Sequence, residues 1–370
     1  MRFLVLALVL TTSAMGCQAF KTNATSLSSI VYSPSPVTST PVSTTFLYRV
    51  GPSVDFLHYC SVDPATGDFA EHPAVALPAG SQPSGLAITP NKEHLYVGYR
   101  GADKIVHYTL DQVTGLPTYS SEFPTLGGDI RKLLMDPTGR FMWSLQYDQI
   151  VSYTIHAVTG VLSWQGTFGI TGGLTITTDS AGTHLYVSAT GTGTNSYDIN
   201  QATGLLSNGG ILSGTISNAL KLNSAGTRLY GVRYGNSEGY RFDRNVVTGV
   251  ITYNNTVATP AIFPYYDLIF NAASSHVYFL NNFQRRIDSF SVNAGTGALT
   301  FVNSADLPSG CVPESMTLIS TESHLFTSCM DGSGRTLSVK INVDGSLDAA
   351  SLKTSIATGL SANTVISVTY

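Results

Sequence analysis

Short stretches of alternating apolar and polar residues, broken by turn residues, fill most of this chain, and the same order of stretches keeps returning. The copy at 84–119 shows the unit. Ser84–Thr89 is a predicted strand, Pro90–Glu93 a turn, and His94–Tyr99 a second strand. Lys104–Leu110 is a third, in which Val106, Tyr108 and Leu110 keep the period of two that a half-buried strand requires. Asp111-Gln-Val-Thr-Gly115 then turns the chain into a fourth strand. In that turn the Asp side chain can bond the backbone two residues on, and Gly takes a positive φ.

The turn marks a repeat. A hydrophobic-x-hydrophobic-[Asp/Asn/His]-x-x-Thr-Gly signature has its glycines at Gly67, Gly115, Gly160, Gly204, Gly249 and Gly297, with a shortened copy at Gly345. The steps are 48, 45, 44, 45, 48 and 48 residues. A period of this size marks one supersecondary unit that cannot bury its own apolar face and therefore stacks on copies of itself. Seven units of four short strands predict an all-β chain, a seven-bladed β-propeller. Innermost strands are expected near 84–89, 131–136, 173–178, 217–223, 266–271, 314–319 and 363–369. Thr45–Val50 aligns with the second strand of a blade, whereas residues 363–369 form an innermost strand with no blade of their own. Pairing the two closes the ring and removes both edges.

Three segments are expected: a signal peptide at 1–16, a tether at 17–44 and the propeller at 45–370. The first segment has Arg2, an apolar run from Phe3 to Leu10 and then small residues, too short for a membrane span. Gly16-Cys17 resembles a bacterial lipobox, which makes Cys17 the expected lipid-attachment site. The Ser/Thr/Pro-rich stretch after it suits a tether between anchor and folded head. The expected location is therefore exported, periplasmic or at the cell surface, with the membrane met through the anchor alone.

Charged residues are only 11% of the chain, against about 25% in a typical domain. The net charge of -4 comes with no basic run, which excludes a nucleic-acid footprint. The four cysteines fit no metal spacing, and no phosphate loop, Ca²⁺ loop or Gly-x-Ser-x-Gly elbow occurs, so neither metal nor cofactor is expected. Cys60 occupies a slot filled by Tyr or Phe in most other units and reads as a packed thiol. Cys311 precedes an innermost strand and Cys329 ends the antiparallel second strand, so both reach one rim and form the disulfide candidate.

Repetition also separates scaffold from site. A residue that recurs in one slot serves the blade; a polar residue that occurs once does not. His94, His184, His276 and His324 share one slot and read as scaffold. Non-repeated polar residues gather instead in the loops that enter the innermost strands and join second to third strands. Arg100, Asp129, Asp148, Arg233, Glu238, Tyr266, Asp267 and Arg285 are the candidate ligand-binding residues there, with Arg131 and Glu314 as candidate catalytic residues. Loops on a rigid β scaffold commonly carry binding sites, and convergent Arg side chains suit a carboxylate or phosphate.

The stretch HLYVGYRGADKIVHYTLDQVTGL at 94–116 and its counterparts HLYVSATGTGTNSYDINQATGLL and RLYGVRYGNSEGYRFDRNVVTG resemble the seven-bladed lactonase-like propellers. That family includes 6-phosphogluconolactonase-type and muconate-cycloisomerase-type enzymes and surface-layer propellers. The resemblance implies catalytic groups at the entrances of innermost strands, where a His or carboxylate moves a proton and Arg holds an anionic substrate. Here those positions are Ser84, Arg131, Gly173, Asn218, Tyr266, Glu314 and Asn363; Arg131 and Glu314 match, and the His has no counterpart. Two readings follow. One is a monomeric binding module whose loop face meets a protein or an anionic small molecule. The alternative is a hydrolase opening a sugar lactone with Glu314 and Arg residues at the central mouth.

Overall fold

The computed structural model describes residues 44–52, 55–78, 82–127, 129–210, 214–233, 238–258, 265–330, 334–355 and 364–370. The expected signal peptide, Cys17 and the expected tether up to residue 43 lie outside them. The described residues form seven antiparallel sheets arranged as the blades of a propeller. Blade 2 is Pro83–Ile88, His94–Tyr99, Lys104–Leu110 and Pro117–Pro124, from the axis outward. The innermost strands of blades 3 to 7 are Lys132–Met135, Gly173–Thr178, Ala219–Leu222, Tyr265–Phe270 and Pro313–Leu318. All fall within two residues of the positions expected from the repeat.

Blade 1 takes strands from both ends of the described chain. Thr364–Thr369 pairs antiparallel with Thr45–Val50, from Thr45 opposite Thr369 to Val50 opposite Thr364, and Thr45–Val50 pairs in turn with Phe56–Val62. Every residue of Thr45–Val50 is buried. The ring therefore closes with no free edge on that strand.

The turn chemistry read from the repeat is present. Asp111 Oδ1 accepts from the amides of Val113 (3.0 Å) and Thr114 (2.7 Å), and Asp63 Oδ1 from the amide of Ala65 (2.8 Å). The same turn also fastens one blade to the next. Tyr48 donates its hydroxyl hydrogen bond to the carbonyl of Gly115, Tyr96 to Gly160, Tyr186 to Gly249 and Tyr230 to Gly297, at 2.7–3.0 Å. In blade 3 the indole of Trp143 does this to Gly204. A buried hydroxyl or indole needs such a partner, so each latch satisfies the ring that fills the inter-blade core. Gly249 shows why the turn tolerates no side chain: its φ is 67°, and a Cβ would collide with the His184 ring of the preceding blade. The recurrent His thus packs against the next blade's turn, a scaffold role.

Cys311 and Cys329 are joined by a disulfide, and Cys60 is a buried free thiol. The disulfide spans 18 residues, and closing a loop of that size stabilises a fold by about 3 kcal/mol through the unfolded chain. A Cys311→Ala/Cys329→Ala chain should therefore lose about 3 kcal/mol in denaturant unfolding. An unchanged midpoint would mean that the bond constrains nothing.

Candidate functional site

The seven innermost strands surround the axis and start at the same end of it. Their mutual contacts show the common start: the Thr364 hydroxyl donates to the Ser84 carbonyl (2.8 Å), and the Met316 amide to Asp267 Oδ2 (3.0 Å). Between them lies a cavity of about 530 Å³, within the roughly 300–1,000 Å³ typical of small-molecule sites. Ser84, Arg100, Arg131, Lys132, Asn218, Lys221, Tyr266, Asp267, Glu314, Ser315, Thr317 and Thr364 are its polar lining.

Backbone irregularity places several of these side chains. Four innermost strands slip register by one residue close to their start: between Pro83 and Gly85, Gly173 and Thr175, Tyr265 and Asp267, and Pro313 and Met316. The intervening residues are Ser84, Leu174, Tyr266 and Glu314-Ser315, and every one of them lines the cavity. A bulge breaks the strict alternation of a strand and re-aims a side chain, and bulges are common beside active sites. This is why the consecutive residues Tyr266 and Asp267 both reach the axis.

The mouth is dominated by cations. Asp129 bridges two of them, accepting from Arg100 Nε at 2.8 Å through one oxygen and from Arg131 Nε at 3.1 Å through the other. Burial alone would raise the Asp129 carboxyl; the hydrogen bonds from Arg100 and Arg131 outweigh it and hold the group below the usual carboxylate range. Arg131 also donates to the Gly173 carbonyl (3.1 Å) and lies 4.6 Å from the centre of the Tyr147 ring. Its guanidinium is thereby fixed on three sides, as a preorganised donor should be.

Lys132 enters the channel from blade 3 and donates to the Thr175 hydroxyl at 3.2 Å. Burial lowers its pKa and neighbouring Lys221 adds to that, while Asp267 and Glu314 oppose it. Burial raises the Glu314 carboxyl, and Arg100 and Lys132 pull it back. Glu314 is therefore a stronger base than a surface carboxylate, held among cations that stay close to it.

The structure brings Arg100, Arg131, Tyr266, Asp267 and Glu314 together in this lining and Asp129 directly behind it. It does not bring in the rest. Asp148 is exposed in the second-to-third loop of blade 3, where its carbonyl accepts from Ile170. Arg285 is exposed at φ 53°, and Arg233 is half-buried; neither lines the cavity. Glu238 opens the third strand of blade 5, but its side chain lies outside the described residues. These loops stand on the rim because the blades splay outward from the axis, so a residue on the mouth face need not point inward. Lys132 and Lys221 lie inside innermost strands and not in the loops where the non-repeated polar residues gather. They are the lysines of the described innermost strands, and a lysine inside Lys132-Leu-Leu-Met or Ala219-Leu-Lys-Leu was the available signal.

Comparison with known proteins bears on the fold and on part of the chain. Residues 41–167 match the family model described as lactonase, 7-bladed beta-propeller. That matched segment, about a third of the chain, is similar to the lactonase propellers. A 6-phosphogluconolactonase of Klebsiella pneumoniae (strain 342) is 31% identical over 103 residues, 28% of this chain and 30% of that protein. The chain thus spans less than a third of the length of the curated relatives it matches. Among solved structures, a protein from Bacteroides fragilis NCTC 9343 superposes with a TM-score of 0.76 at 16% identity, covering 89% of this chain and 99% of the other. A periplasmic gluconolactonase of Pseudomonas aeruginosa superposes at 0.74 and 15% identity, covering 88% and 99%. At such identities the structural matches speak for the fold.

Proposed function

We propose that this lactonase-like propeller hydrolyses a lactone at the mouth of its central channel. The observation that carries the reading is Glu314, a half-buried carboxylate with raised basicity, lining one cavity with Arg131, Arg100 and Lys132. Glu314 would take a proton from water as the water oxygen attacks the lactone carbonyl carbon. The tetrahedral oxyanion so formed would lie against the Arg131 guanidinium or the Lys132 ammonium, which need no reorganisation to stabilise it. Collapse breaks the ring C–O bond, and the proton on Glu314 passes to the departing alkoxide. The product is a hydroxy acid whose new carboxylate suits the same cations.

The names of the matched relatives support lactone chemistry over a purely binding role, and the segment that matches the family model, residues 41–167, carries both Arg100 and Arg131. The leader-like segment at 1–16 and Gly16-Cys17 support a proposal of export, which places the enzyme away from phosphorylated cytoplasmic metabolites. An unphosphorylated lactone is then the better substrate class. The test is a panel of γ- and δ-lactones offered to the purified chain, with ring opening followed as acid release. Turnover above the uncatalysed rate is expected for at least one lactone; a panel left untouched, while carboxylate anions still bind, would leave the binding-module reading instead.

A further inference from the structure

The channel has two unlike halves. Because the innermost strands start together and run side by side, position along a strand is depth in the channel. A second contact deeper down, between the hydroxyls of Thr317 and Ser367 (2.9 Å), keeps this alignment. The first residues of the strands, the loops before them and the second-to-third loop of blade 2 supply Ser84, Arg100, Arg131, Lys132, Asp267 and Glu314. Further along, the lining holds Thr317 and the half-buried Ile88, Met135, Ile269 and Ile366, which pack against the inter-blade cores on one side and border the cavity on the other. Lys221 stands among these with an exposed side chain, and its stem adds to the apolar wall.

A polyhydroxylated ring needs hydrogen-bonding partners on most of its surface, because each buried hydroxyl without one costs free energy. The deep half offers few. Half-covered Ile and Met side chains in an enclosed space are instead a surface that a hydrocarbon would cover. The charges complement this: four cations line the cavity (Arg100, Arg131, Lys132 and Lys221) against two carboxylates, Asp267 and Glu314.

We infer that the channel takes an amphiphilic anion head-first at the mouth, with its hydrocarbon chain running down between Ile88, Met135, Ile269 and Ile366. Resting on the hydrolase reading above, this makes the substrate a lactone bearing an alkyl or acyl chain, whose opened carboxylate stays at the Arg–Lys cluster.

Binding of straight-chain carboxylates to the full chain tests the inference without any turnover. Butanoate, hexanoate, octanoate and gluconate are titrated by calorimetry. Each added methylene should tighten binding by about fourfold, the effect of burying one CH₂, and gluconate should bind more weakly than hexanoate. Met135→Gln should flatten the chain-length series and leave butanoate unchanged. A series already flat in the unaltered chain, or gluconate binding as tightly as octanoate, overturns the amphiphilic channel. The hydrolase reading fails separately. A steep binding series with no lactone opened ends hydrolysis alone, whereas sugar lactones opened faster than alkyl lactones end the amphiphilic class alone.

Discussion

Glu314→Gln should fold as the native chain does and lose lactone turnover by roughly 10²–10⁴-fold, the usual contribution of a positioned general base. Gln keeps the shape and hydrogen-bonding reach of Glu but cannot accept the proton. Ligand affinity should change much less, because Arg100, Arg131 and Lys132 remain in place. The pH profile gives the sign. The active form is the carboxylate, so kcat/KM should fall as pH drops through the Glu314 pKa, which burial places above the usual carboxylate value. Gln at this position should remove that acid limb from whatever activity survives. Full turnover in Glu314→Gln would end the assignment of the base. Turnover that fell while the acid limb persisted would move the base to Asp267, the other carboxylate of the lining.

Removing residues 364–370 should abolish the cooperative unfolding of the propeller. Those residues form the innermost strand of blade 1, and Thr45–Val50 depends on them for one of its two pairings. Val365 and Val368 are buried, and the Tyr370 ring packs edge-on against Phe46 at 6.0 Å. The truncation would leave a buried strand as an open edge and take one wall from the channel. Typical domain stability, about 5–15 kcal/mol, is too small to absorb the loss of six paired residues and their core. Thermal unfolding followed by circular dichroism should show a broad transition at much lower temperature. A truncated chain that melted as sharply, and as high, as the native one would mean that blade 1 holds without closure.

The two predictions draw on different kinds of information. Ring closure was legible before any coordinates, since the repeat left an orphan second strand at 45–50 and an orphan innermost strand at 363–369. The inner strands, the Asp-x-x-Thr-Gly turns and the scaffold role of His184 and its equivalents were legible for the same reason. Each copy of a repeat repeats its local physics, so seven copies report one rule. The site was only partly legible. Arg131 and Glu314 stood at strand entrances, and both line the cavity. Arg233, Arg285 and Asp148 lay on the same face in the same kind of loop, yet stand on the rim.

What the sequence determined by itself is therefore the blade, the number of blades and the way the ring is shut, because alternation and turn residues act over a few neighbours. The tertiary structure decided which charges meet. The bulges at Ser84, Leu174, Tyr266 and Glu314-Ser315 swing side chains toward the axis. Asp129 ties Arg100 to Arg131 across two blades. Lys132, unremarkable within its own strand, comes near Glu314, Asp267 and Lys221 only when the strands stand in a ring. Electrostatic proximity of this kind depends on distances across the channel, and residues far apart along the chain carry no local pattern that records them.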